Sequence, residues 1–145
     1  MTTIFSLLSQ TCGLSHREAA EWLGVRLDTV KSWSAGRNGT PDRVINNLVD
    51  LAAKIDIAAN EAIDCIDEVA SSCGERRTIE IGLSSDDAEA QSLGWPCVGA
   101  HKAVSGLIVS RGMAAGYTFK IVPRGTTPAT AAAADIHDRH RSKPT

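Results

Sequence analysis

The residues of this sequence best suited to covalent or metal chemistry are its four cysteines and four histidines. Cys12, Cys65, Cys73 and Cys97 are scattered, with no CxxC pair and no Cys/His spacing that would set tetrahedral ligands. Buried free thiols of a reducing cytosol are the expectation, and neither a metal nor a cofactor is expected. His16 has no second ligand at useful spacing. His101 sits at the edge of an apolar stripe, where a hydrogen-bonded core histidine is favoured over an effector or catalytic role. His137 and His140 fall in an aperiodic stretch, which favours no metal role. No nucleophile–base pair and no phosphate-binding glycine loop is present. An enzyme is not expected.

The chain that must position these groups has 145 residues and a formal net charge of −2. A pI near 6.1 excludes a uniformly basic coat but not a local basic patch. No apolar run approaches the roughly 20 residues of a membrane span, and no signal segment opens the chain, so a cytoplasmic location is expected. Residues 1–40 carry 4 basic and 3 acidic side chains, whereas residues 41–73 carry 2 and 7. The acidic middle is the stretch least suited to face phosphate.

Three short helices are predicted in the first 40 residues. Ile4, Phe5, Leu7 and Leu8 form an apolar cluster ending near Cys12-Gly13. Ser15, three residues before Glu18, is a capping box for the second helix, which Gly24 closes. The third runs from about Leu27 to Ser34, with Val30 and Trp33 on one side. Trp22 should be partly exposed, lying against the N-terminal segment or a second subunit. Thr40-Pro41 then opens a helix of about 30 residues. Val44, Leu48, Leu51, Ile55, Ala58, Ala62, Cys65 and Val69 alternate spacings of 4 and 3 along it, a seam facing either the core or a partner. The predicted fold is therefore mainly α, with a small α+β part at the C-terminal end. In that part Thr78–Leu83 and Tyr117–Val122 alternate as strands around a short polar helix and a second helix opened by Pro96 and closed by Gly112. Gly99 and Gly106 weaken that second helix. The division expected is 1–73, 74–122 and a mobile tail over 123–145.

Leu14 to Pro41 reads LSHREAAEWLGVRLDTVKSWSAGRNGTP. It resembles the five-helix-type helix-turn-helix of Cro/C1 (xenobiotic-response-element) repressors, with Ser15 as cap, Ala19 as the small packing residue, Gly24 at the turn, and Val25 and Val30 in the core. More narrowly, Trp33, Gly36, Arg37, Pro41, Asp42 and Val44 fit the W-x-x-G-R-x-x-x-P-D-x-V pattern of regulators associated with anti-CRISPR operons and of their uncharacterised bacterial relatives. A weaker likeness continues at Gly94-Trp95 and the helix after it. Ser34 departs from the pattern, which more often has Glu there and an ion pair to the first helix.

The resemblance implies that the third helix enters the major groove of double-stranded DNA. Arg26, Leu27, Asp28, Thr29, Lys31 and Ser32 then fall at base edges: Arg26 suits guanine O6/N7, Asp28 suits cytosine N4, and Leu27 suits a thymine methyl. For Asp28 a plain helix-dipole role weighs equally, and for Lys31 a phosphate contact is favoured. His16, Arg37 and Asn38 are the backbone-contacting set. A homodimer reading an inverted repeat is implied, with Val104, Ile108, Tyr117, Phe119 and Ile121 as the dimerisation residues of a β-α-α-β unit. The function expected is an autorepressor of a phage or mobile-element operon. The alternatives are an antitoxin-type autoregulator whose C-terminal part binds a toxin and, least supported, an enzyme with a DNA-binding head.

Overall fold

Residues 2–73 and 78–124 are described by a computed structural model. Helix α1 (Ile4–Thr11) begins where the Thr3 hydroxyl accepts from the Ser6 amide at 3.1 Å. Its apolar side buries Phe5, whose ring meets Trp33 edge-on at 5.6 Å between centroids. Helix α2 (His16–Leu23) carries the full capping box, since Ser15 and Glu18 each accept from the other's amide at 3.1 Å. It ends on Gly24 in the left-handed region, φ +68°, where a side chain on the backbone would be strained. Helix α3 (Leu27–Ala35) follows a three-residue turn, Gly24 to Arg26, and closes in the same way on Gly36. Its inner side buries Val30 and Trp33.

Helix α4 (Asp42–Cys73) is 32 residues long, and the Pro41 carbonyl accepts its first bonds, from Val44 and Ile45. Val44, Leu48, Leu51 and Ile55 are buried as the seam predicts. Beyond Ile55 the seam is corrected: the next buried position is Ala59 and not Ala58, Ile63 and Ile66 are half-buried, and Cys65 and Val69 face solvent, Val69 at 63% exposure. A helix of 3.6 residues per turn drifts about 20° per heptad against a strict seven-residue repeat, so a straight helix carries those two residues off the core.

The remaining elements are β1 (Ile79–Leu83), α5 (Asp87–Ser92), α6 (Val98–Ala114) and β2 (Phe119–Pro123). The two strands pair in parallel, Ile79 opposite Phe119 through Leu83 opposite Pro123, with α5 and α6 as the crossover. Ile79, Ile81, Leu83, Phe119 and Ile121 therefore share one face of the pair. Gly112 does not close α6, which runs on to Ala114: the Phe119 ring lies where a Gly112 side chain would project, 2.2 Å from an added Cβ. The glycine serves packing, not termination. Arg111 clamps α6 to α4 through Asp56 at 2.5 Å and the Asn60 side-chain oxygen Oδ1 at 2.7 Å, and the Tyr117 hydroxyl donates to Asp67.

A single apolar core runs across the boundary expected at residue 73, because Cys97, Ala100 and Val104 of the C-terminal part join Phe5, Ala19, Val30 and Leu48. The closest approach is backbone on backbone. A Cβ on Gly13, itself at φ +72°, would fall 2.2 Å from the Gly99 carbonyl oxygen, and one on Gly99 would fall 2.1 Å from that of Gly13. The tail expected over 123–145 is corrected at its start, because β2 includes Pro123 and the Arg124 amide bonds to the Leu83 carbonyl at 2.9 Å; the rest of it, with His137 and His140, lies outside the described residues. Among the described residues no helix is long and apolar enough to cross a membrane.

Candidate nucleic-acid interface

With Val30 and Trp33 turned inward, α3 presents Arg26, Asp28 and Lys31 exposed and Leu27, Thr29 and Ser32 half-buried beside them. Arg26 occupies the N-cap position and gives no side-chain cap, which leaves its guanidinium free to reach outward. Asp28 lies in the first turn, where its charge is favourable to the helix dipole.

The flanking residues are tied to this helix. Asn38 donates its side-chain amide to the Ser32 hydroxyl oxygen at 2.7 Å, so the Ser32 hydroxyl hydrogen is left to point elsewhere. The Arg37 amide bonds to the Ser32 carbonyl at 3.0 Å, and the Arg37 side chain is exposed just past the helix end. His16, at the first position of α2, places Nε2 3.2 Å from the Ser34 hydroxyl. The Ser34 carbonyl in turn accepts from the Thr3 hydroxyl at 3.2 Å. Ser34 thus joins the starts of α1 and α2 to the end of α3 by neutral hydrogen bonds. His16, Ser32 and Asn38 come together around α3, and Arg26 and Arg37 stand at its two ends. This arrangement offers a row of donors with two guanidiniums and one ammonium, set apart from the acid-rich α4.

Of the five expected dimerisation residues, four are engaged inside the chain. Val104 is 4% exposed in the core and Ile108 packs against it. Tyr117 is bonded to Asp67, and Phe119 covers Gly112. The expected dimerisation role of Val104 is corrected, because within the chain α4 already covers that side of α6. Ile121 alone of the five is open, at 50% exposure. Trp22 is half-buried, as expected, and lines an open cleft of about 470 Å³ with Asn47, Leu51, Trp95 and Pro96. On the far wall the Lys54 ammonium lies 4.8 Å above the Trp95 ring and donates to the Gly94 carbonyl.

Sequence reasoning missed the second role of Glu18. One carboxylate oxygen accepts from Ser15 at the start of α2, and the other accepts from the Gly99 amide, 81 residues on, at 3.1 Å. Burial would raise its pKa, but bonds from the Cys97 thiol and from Ser15 and Gly99 outweigh that and hold the carboxyl below its ordinary value. Burial, reinforced by this carboxylate, pushes the Cys97 thiol up to about 12, and burial alone pushes Cys12 to about 11. Both thiols are inert near neutrality. The capping box signalled only the local half of this; isolated glycines at 13 and 99 were the trace of the other half.

His101 is a bonded core histidine, its Nδ1 2.6 Å from the Ser84 hydroxyl and 3.2 Å from the Ser84 amide. Burial and the nearby Arg124 charge lower its pKa, against a smaller opposing effect of Glu89. Among the described residues no group of three or more His, Cys, Asp or Glu is arranged to hold a metal ion. Compared with known proteins, the sequence matches no protein-family model and no curated sequence.

Proposed function

We propose that this chain is a sequence-specific DNA-binding repressor, acting as a homodimer on an inverted-repeat operator of a phage or mobile-element operon. In this reading α2 and α3 are a helix-turn-helix of the Cro/C1 type, close to the anti-CRISPR-associated regulators. The observation that carries it is the division of α3 into two sides, Val30 and Trp33 inward and Arg26, Asp28 and Lys31 outward, with His16, Arg37 and Asn38 flanking. A helix buried on one side and hydrogen-bonding on the other suits the major groove. Arg26 reads guanine, Thr29 and Ser32 adapt to neighbouring bases, and Leu27 meets a thymine methyl. His16, Arg37 and Asn38 hold phosphates and fix the register. Repression is steric, by occupying the promoter against polymerase. No enzymatic step and no cofactor enter this reading, and the site of action is the cytoplasm.

The test is selection of bound duplexes from a random library, followed by mobility shifts with variants. An enriched inverted repeat is expected. Arg37→Ala should weaken specific and non-specific binding alike and reduce the salt slope by about one. Arg26→Ala should relax preference at one or two positions, at a cost of about 1–3 kcal/mol. Failure to enrich any sequence, or an unchanged salt slope in Arg37→Ala, contradicts the reading.

A further inference from the structure

We propose that two copies of this chain pair through the outward face of α4, antiparallel and with Ala53 on the two-fold axis. The proposal deepens the homodimeric reading above and rests on it. The core side of α4 is Val44, Leu48, Leu51 and Ile55. On the opposite side Val49 and Ile57 are 48% and 56% exposed, with the exposed Ala53 midway between them. Residues four apart advance by about 40° around a helix, so these three form one stripe about 80° wide. The small residue at its centre lets two helix backbones approach closely, with a larger apolar side chain to either side.

The stripe is complementary to itself only when one copy is reversed. A two-fold axis at Ala53 sets Val49 of one copy against Ile57 of the other, and Asn46 against Asn60. It also brings Arg43 to the level of Glu61 of the other copy, about 3 Å apart along the axis at 1.5 Å per residue. Arg43 and Glu61 are exposed, and neither makes an ion pair among the described residues. Parallel pairing would leave Arg43 and Glu61 18 residues, about 27 Å, apart along the axis, so only the antiparallel arrangement brings these opposite charges together. Beside the stripe an open cleft of about 410 Å³ lies between α4 and Trp95, lined by Ala53, Ile57 and Ala58 with Asp50, Lys54 and Glu61. Of the residues first expected to pair, only Ile121 stays exposed, and it is the competing surface within that set; among the described residues Ile4 and Leu7 of α1, Val69 and Met113 are exposed as well.

The test uses the full-length chain with the exposed Cys65 and Cys73 replaced by serine, carrying either Ala53→Cys or Ile121→Cys. Mild oxidation should give at least ten times more disulfide-linked dimer with Ala53→Cys, because a residue on a two-fold axis meets its own copy within disulfide reach. In sedimentation, Arg43→Glu should weaken pairing about tenfold, and Arg43→Glu with Glu61→Arg should restore it. Cross-linking through Ile121→Cys alone overturns the proposal, as does a wild-type dimer that neither cysteine captures, or a wild-type chain that sediments as a monomer at tens of micromolar. The DNA reading is scored separately. A chain that pairs through α4 but enriches no DNA sequence refutes the repressor and not the interface, and a monomer that binds an enriched site does the reverse.

Discussion

Replacing Glu18 by alanine should separate two jobs that one carboxylate performs. Ser15→Ala removes only the cap on the Glu18 amide and should cost about 1 kcal/mol, the usual value for a lost N-cap hydroxyl. Glu18→Ala removes the acceptor for the Ser15 and Gly99 amides and for the Cys97 thiol. A hydrogen bond to a sheltered charge is worth about 1.5–3 kcal/mol. Glu18 is half-buried, so solvent screening keeps each amide near or below the bottom of that range. Two such bonds and a weak thiol contact sum to about 2–3 kcal/mol, roughly twice the Ser15→Ala cost. Urea unfolding followed by circular dichroism measures both, and amide hydrogen exchange at Gly99 reports the long-range half directly. Since the folded-state pKa of Glu18 is lowered, its contribution is present above the ordinary carboxylate range and is lost as pH falls through the folded value. Equal costs for the two variants, with unchanged Gly99 exchange, would refute the reasoning.

The two glycines of α6 should behave oppositely. Gly99→Ala drives a methyl onto the Gly13 carbonyl and should destabilise by about 3 kcal/mol or more, whereas Gly106→Ala meets open space and should stabilise by up to about 1 kcal/mol; thermal melts rank them. His101 is favoured in its neutral form by the fold, so stability should be complete above the unfolded histidine pKa near 6.5 and decline as pH falls from there toward the lowered folded value. His101→Gln should flatten that slope in denaturant titrations between pH 5 and 8, and an unchanged slope would assign the effect elsewhere.

The three N-terminal helices were legible because their ends are written in local chemistry: Ser15 with Glu18, then Gly24, then Gly36. Each acts within a few residues, and each end falls within a residue or two of its expected place. The long helix was legible as a helix, and its inward side as far as Ile55, but not beyond, since a 4–3 spacing of apolar residues does not say whether the chain supercoils. Gly112 was misread for a similar reason, because a glycine at the end of an apolar stripe carries the same letter whether it stops a helix or makes room for a ring. On α3 the outward positions of Arg26, Asp28 and Lys31 follow from the inward pair Val30 and Trp33, three residues apart. The Glu18–Gly99 bond left only the isolated glycines at 13 and 99 as a trace, and these do not name a partner 81 residues away.

The core that spans the chain has a consequence for synthesis. Phe5, Ala19, Val30 and Leu48 leave the ribosome early, but Cys97, Ala100 and Val104, which complete the same cluster, are made much later. At about 5–20 residues per second, the 31 residues from Cys73 to Val104 take roughly 2–6 s. Throughout that interval the emerging helices carry an uncovered apolar side, an open invitation to chaperones or to neighbouring nascent chains. A polypeptide interrupted in that stretch would possess the whole of α3, with the α1 and α2 on which it packs, and still leave α4 without the α6 that covers it.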